Sequence, residues 1–260
     1  MSARPEERDR TRRPLSVLVP TLNEREMLPG CLESCAFADE VVVVDSGSDD
    51  NTVELARAAG ATVLEHPFEG HAEQKNWGLE QVRHDWVLVL DADERVPEAL
   101  RREIESHLAA PPRASGFWIR RVNTFLGRTI RGCGWQHDRV LRFFDRRAGR
   151  YETRRVHEEV VLDGAGTLEQ ALLHHSCRDL DTWLAKSERY ARLGAEELHR
   201  HGRRIGTGDL WLRPPARFLK QYVAQGGFRD GVEGLLICAI SAQGVFRKYA
   251  RLRELEREGA

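Results

Sequence analysis

The chain has 260 residues, with 40 Lys+Arg against 41 Asp+Glu and a formal net charge of −1. With 41% hydrophobic and 31% charged residues it has enough apolar surface to bury, which excludes a mainly disordered chain; its length suits one large α/β domain or one domain with a helical appendage. Balanced charge argues against a dedicated nucleic-acid binder, because such proteins carry a clear basic excess.

The elements follow in chain order. Residues 1–13 are rich in Arg, Glu and Asp, contain no apolar run, and read as a disordered tail without a secretory signal. Leu15–Val19 is an apolar strand ending at Pro20. Over 24–37, Met27, Leu28, Cys31, Leu32 and Cys35 recur at helical spacing. Val41–Val44 is a second strand, followed by a helix that Asp50 or Asn51 caps and Gly60 stops. Ala61–Leu64 and Trp86–Leu90 are further strands, and Pro97–Leu108 is a helix with Leu100, Ile104 and Leu108 on one stripe. Fully apolar strands alternating with helices predict a mostly parallel, Rossmann-like sheet covered on both faces.

After Pro111-Pro112 the rhythm changes. Gly116–Val122, Arg139–Phe144 and Val156–Leu162 read as strands without regular helices between them, and 179–200 as a long helix stopped by Gly202. A Gly- and Pro-containing linker over 203–215 leads to a helical segment broken near Gly226-Gly227. The expected division is a tail over 1–13, a catalytic domain over 14–200 with halves at 14–110 and 111–178, and a helical extension over 201–260. Five cysteines, none spaced C-x-x-C, argue against a zinc site or disulfide framework and suit a reducing cytoplasm.

In open α/β sheets ligands bind beyond the carboxyl ends of the strands. Three polar clusters follow predicted strands: Pro20-Thr21-Leu22-Asn23-Glu24, Asp45-Ser46-Gly47-Ser48-Asp49, and Asp91-Ala92-Asp93-Glu94. Two carboxylates in one turn after a buried strand suit a hard divalent cation, Mg²⁺ or Mn²⁺, which bridges to substrate phosphates. The bland alternative is a solvated turn with Asp as helix cap. Asp45 is a turn residue or an acceptor for a pyrimidine imide or ribose hydroxyl. Neither G-x-G-x-x-G nor G-x-x-x-x-G-K-[ST] occurs, so no phosphate-cradling glycine loop is expected.

These stretches, together with Gln74-Lys75-Asn76-Trp77, resemble the inverting family 2 glycosyltransferases with a GT-A fold. Later segments narrow the likeness: Arg120–Gly127, Gly134–Asp138, Arg142-Phe143-Phe144, Val156-His157-Glu158 and Gly226–Gly231 are similar to the lipopolysaccharide inner-core β-1,4-glucosyltransferases. The resemblance implies a uridine diphosphate hexose donor and a saccharide acceptor on a membrane lipid. It implies that Pro20, Thr21 and Glu24 line the base and ribose and that Asp45 and Ser46 contact the base. Many relatives carry Asp-Asp where this chain has Asp45-Ser46. Lys75 and Asn76 would lie near the diphosphate, and Asp91 and Asp93 would hold the ribose and the metal. The base that deprotonates the acceptor comes from the segment after Asp93; Glu158 is the first choice, with Glu159 and Asp138 as rivals.

Other features stay open at this level. His157 is either a donor to a diphosphate oxygen or a packed strand residue. Trp135 is either a sugar platform or core, and His174-His175 is structural. Arg139 and Arg142 are surface ion pairs or partners of phosphate. Residues 200–260 hold 12 Lys/Arg against 6 Asp/Glu and contain Val232, Leu235, Leu236, Ala239, Ile240 and Phe246. That segment is either a helix packed on the catalytic domain or a peripheral contact on the inner face of the cytoplasmic membrane. Rival functions are a glycosyltransferase acting on another glycan or glycolipid, a sugar-1-phosphate nucleotidyltransferase, and a non-catalytic nucleotide-sugar-binding protein.

Overall fold

The computed structural model describes residues 12–152, 159–177 and 179–258. Strand β1 (Leu15–Thr21) is the pivot of a mixed sheet. It runs parallel to β2 (Glu40–Asp45) on one side and to β4 (Trp86–Val89) on the other; β3 (Thr62–Glu65) extends the parallel half beyond β2. Every residue of β1 from Leu15 to Val19 is fully buried, and alternate ones serve opposite faces. Leu15, Val17 and Val19 pack beneath α1 (Leu28–Ser34) and α4 (Glu98–Ala109), in one cluster with Leu28, Leu100 and Ile104. Leu18 joins Val42, Val44, Leu79 and Val89 on the other face. This two-sided burial is why the strands are uniformly apolar.

The parallel order stops at β4. Beyond it lie β8 (Arg139–Asp145), β6 (Gly116–Phe125) and β11 (Ala165–Cys177), with β5 (Glu94–Arg95) at the far edge, and the pairings β4–β8, β8–β6 and β11–β5 are antiparallel. The short strand β7 (Arg128–Thr129) pairs with the end of β6, and β9 (Arg150–Tyr151) forms a separate ladder with β10 (Val160–Val161). The strand expected over 156–162 is seen only as β10, residues 156–158 lying outside the described residues.

Three elements depart from the sequence pattern. The helix expected over 24–37 is confined to Leu28–Ser34, and the residues before it are tied to the next loop, with the backbone N–H groups of Asn23, Glu24 and Arg25 donating to Ser48, Thr52 and Asp50. A helix, α3 (His71–Gln81), stands where no element was expected, because the face it buries includes the polar Gln74 and Lys75. At Gly78 a Cβ would sit 2.7 Å from Leu18, so only glycine lets this helix approach β1 so closely. Strand β11 was also missed: only Leu168, Leu172 and Cys177 of its 13 residues are buried.

The chain divides into two compact units, Met1–Arg121 with Arg139–His174, and Val122–Asp138 with His175–Ala260. The boundary expected at residue 200 is therefore misplaced. Helix α5 (Leu180–Arg200) belongs with α8 (Gly231–Glu258), because small residues on its stripe, Ala191 and Ala195, are buried and Glu188 pairs with Arg251 at 2.9 Å. The core of the second unit is Phe125, Ile130, Cys133, Cys177, Ile237 and Cys238, with Trp135 and Trp183 packed against it. The segment expected to be a linker holds α6 (Thr207–Trp211) and the start of α7 (Arg213–Leu219). The break near Gly226 is present, with left-handed φ at Gly226 (73°) and Gly231 (65°) before α8 begins. All five cysteines are buried free thiols.

Candidate active site

The site is built where β1, β2 and β4 end on the same edge of the sheet. Asp45 closes β2 and is 1% exposed. Its carboxylate accepts from Thr21 Oγ1 (3.1 Å), Gly47 N (2.9 Å), Ser48 N (2.8 Å) and Ser48 Oγ (2.5 Å). Gly47 carries φ of 91°, a conformation that side chains other than glycine's resist. Asp45 is thus committed to its own loop, and any base contact would have to displace one of those bonds. The neighbouring loop is tied to it: Asn23 N donates to Ser48 Oγ, and Asn23 Oδ1 accepts from Asp49 N at 3.0 Å. Pro20 and Glu24 are partly exposed beside this pair of loops, whereas Thr21 is buried.

Helix α3 joins the strand ends with consecutive residues. Gln74 Nε2 donates to Ser46 Oγ at 2.9 Å, while Lys75 Nζ reaches Asp91 Oδ1 at 3.1 Å. Next in line, Asn76 uses both ends of its amide on the backbone of Tyr151, each at 2.9 Å. Its amide fixes β9 to α3 and leaves one Nδ2–H beyond these two bonds.

The carboxylates of the Asp91-Ala92-Asp93 turn have different surroundings. Asp91 lies between two cations, Lys75 on Oδ1 and Arg142 on Oδ2. Burial opposes its charge, but Arg142 and Lys75 outweigh that and hold the carboxyl well below the usual carboxylate range. Arg142 also reaches Glu94 Oε1 at 3.5 Å, and Arg121 reaches the same oxygen at 3.3 Å. Glu94 is fully buried, and its Oε2 accepts the Asp91 N–H at 3.0 Å, which locks the turn. Burial pushes the Tyr151 phenol up, against the pull of Arg142 and Lys75. The Lys75 ammonium sits 5.4 Å over the Tyr151 ring.

Asp93 points elsewhere. Its Oδ2 is 3.3 Å from Nε2 of His174, which the β11–β5 pairing places opposite Glu94. Among the described residues no group of three or more His, Cys, Asp or Glu could hold a metal. Asp93 and His174 supply one carboxylate oxygen and one imidazole nitrogen. That donor set suits Mg²⁺ or Mn²⁺ if diphosphate oxygens and water complete the shell. Asp91 lies between two cations and Asp93 beside His174, so of the expected pair Asp91 and Asp93, Asp93 is the carboxylate with the less occupied surroundings. His174 had been read as structural, because β11 and its pairing with the turn are not legible in the sequence pattern. The contacts of Arg121 and Arg142 with Glu94 and Asp91 depend on how β8 and β6 pair beyond β4, which the spacing of the strands along the chain does not give.

Of the candidates for the base, Glu158 lies outside the described residues, as does His157. Glu159 is exposed beside β10, and Asp138 accepts from Asn123 Nδ2 at 2.9 Å. Trp135 packs against Phe125 and Trp183, with the Trp135 and Trp183 ring centroids 5.6 Å apart, which is a core role. Arg139 lies over the Trp118 ring at 5.1 Å.

This edge-on arrangement of loops, with a charged turn at the end of β4, is the nucleotide-sugar half of a GT-A fold. Residues 16–160 match the family model Glycosyl transferase family 2, and the chain belongs to that family. It is 32% identical over 247 residues to the lipopolysaccharide core biosynthesis glycosyltransferase LpsC of Rhizobium meliloti (strain 1021), covering 92% of each chain. An uncharacterized glycosyltransferase of Rickettsia bellii (strain RML369-C) is 29% identical over 259 residues, covering 93% of this chain and 86% of that one. Among solved structures, glucosyl-3-phosphoglycerate synthase from Mycobacterium tuberculosis with Mn²⁺, UDP and glucosyl-3-phosphoglycerate is 20% identical. That match covers 75% of this chain and 82% of that one, with a TM-score of 0.48.

Proposed function

We propose that this glycosyltransferase moves a hexose, glucose in the first instance, from a uridine diphosphate sugar to a saccharide acceptor of the lipopolysaccharide core, with inversion at the anomeric carbon. The observation that carries the reading is the likeness to LpsC along 92% of both chains. The strand-end geometry supports it. Two mutually bonded loops flank a place for base and ribose, and Asp93 with His174 stands beside the Lys75–Asp91–Arg142 row.

In this reading Asp93 and His174 hold a divalent cation, which when bound supplies Lewis-acid stabilisation of the departing diphosphate. The residues do the rest. Asp91, kept ionised by its two cations, accepts from a ribose hydroxyl, and the Glu94 bond to its N–H keeps the turn in position. The acceptor hydroxyl attacks the anomeric carbon from the face opposite the diphosphate. Its proton passes to a carboxylate as the C–O bond to phosphate breaks and uridine diphosphate leaves. We assign that carboxylate to Glu158, because Asp138 is already bonded to Asn123 and Glu159 lies in the open.

A thermal-shift panel of nucleotide sugars, with and without Mn²⁺, tests the donor and metal together, since binding to the native state raises the melting temperature. Uridine diphosphate glucose with Mn²⁺ is expected to give the largest shift. No shift with any uridine nucleotide, or no effect of the metal, would overturn the assignment. Glu158→Gln is expected to retain the donor shift and lose transfer.

A further inference from the structure

We propose that the second unit carries a surface that lies flat on an anionic lipid bilayer, formed by residues 211–235 and sharing only Val232 and Leu235 with the apolar stretch that the sequence pattern singles out. Along α6, α7 and the turn of π-helix at Lys220–Ala224, positions 211, 212, 215, 216, 219, 220, 223 and 224 face outward at a spacing of about four, and the exposed Arg213 and Arg217 flank them. A water-facing helix puts polar groups there. This one presents Trp211 at 80% exposure, Leu212 at 69%, Leu219 at 58% and Val223 at 60%. Phe228, Val232 and Leu235 continue the apolar surface past the glycine break, at 51%, 66% and 43%. Of the stretch expected to meet lipid, Ile240 is core, whereas Val232, Leu235 and Phe246 are exposed. A patch of this extent marks an interaction site.

The charges identify the partner. Residues 207–235 contain three acids, and each is consumed within the unit. Asp209 is held by Arg203 and Arg213, Asp230 accepts the backbone N–H groups of Arg131 and Gly132, and Glu233 pairs with Arg128. Arg217, Lys220 and Arg229 are exposed and have no acidic partner among the described residues. An apolar face rimmed by unneutralised cations matches anionic headgroups above hydrocarbon. It does not match a second copy of the same face, since a two-fold contact would set this one-signed rim against itself. No helix among the described residues is long and apolar enough to cross a membrane, so the contact is one of lying on the bilayer.

Vesicle flotation of the full chain tests this, with phosphatidylcholine alone against phosphatidylcholine mixed with phosphatidylglycerol. The chain is expected to float with the mixed vesicles and to lose at least tenfold in partitioning in the Trp211→Ser/Leu219→Ser/Val223→Ser variant. The Arg217→Gln/Lys220→Gln variant, which leaves the apolar face intact, should lose most of the preference for the anionic lipid. Trp emission should shift to the blue on adding mixed vesicles, and the shift should shrink in Trp211→Phe. Both multiple variants are expected to keep the thermal shift with donor, because none of these residues belongs to the transfer machinery. Equal binding to both vesicles, flotation unchanged by either variant, or a stable dimer that the Ser variant dissociates without any vesicle binding, would each overturn the proposal.

Discussion

The two units treat water in opposite ways. The first hides charge: Lys75 is 2% exposed, Arg142 5% and Glu94 0%. The second shows hydrocarbon: Trp211, Leu212 and Val232 are the most exposed large hydrophobic side chains among the described residues. Each choice disfavours stability on its own. Burying ions sacrifices hydration, and exposing large apolar groups forgoes burial. In the first unit the ions offset the loss by pairing among themselves around one turn. In the second, no described residue covers the exposed apolar groups, and the proposed bilayer contact is what would offset them. A compensated inversion marks a site that must be rigid, and an uncompensated one marks a surface that must meet something.

The largest expected break of this contrast is chemical. Asp93→Ala should lower transfer by about 10²–10³-fold while leaving the melting temperature near wild type, because Asp93 lies outside the buried row; initial-rate kinetics and a melt on the same sample check it. His174→Gln should weaken Mn²⁺ binding in the same direction, read by metal titration. Arg142→Met attacks the buried row instead. It leaves Asp91 with Lys75 alone and Glu94 with Arg121 alone, and should cost about 3 kcal/mol in urea unfolding. A loss below about 1 kcal/mol would mean that water already reaches the row.

Acid sharpens the contrast further. The carboxyl of Asp91 is depressed in the folded state, so its stabilisation is complete above the unfolded value of about 3.9 and fades as pH falls toward the folded one. The stability gap between wild type and Asp91→Asn should therefore be constant near neutrality and narrow below about pH 4. Since Asp91 is 36% exposed, the gap at neutral pH should be modest, about 1–2 kcal/mol. The smallest expected effect belongs to Asn76→Ala. It removes two bonds to the backbone of Tyr151 and should cost about 1–2 kcal/mol, with donor binding unchanged.

How much of this was legible beforehand depended on what each element buries. Strands β1, β2 and β4 could be read because two-sided burial makes them uniformly apolar, and the polar tips after them located the site. Helix α3 escaped because its inner face carries Gln74 and Lys75, chosen for the site and against periodicity. Strand β11 escaped because its residues alternate weakly, and with it went His174, whose meaning lies entirely in a neighbour 81 positions earlier. The Asp45 loop shows the converse. A strand-end Asp before Ser-Gly was read both as turn and as ligand, and the four bonds it accepts answer for the turn. The outward apolar face is not legible in the sequence because its first part, 211–215, falls in the stretch that reads as a linker and its rest in a helix whose orientation the pattern does not give.

One consequence follows from the adjacency of Gln74 and Lys75. Because neighbouring side chains on a single turn of α3 grip the ends of β2 and β4, that turn behaves as a yoke across the edge of the sheet. A ligand that draws the Lys75 ammonium away from Asp91 would free one arm of that yoke and leave the other, Gln74 on Ser46, in place.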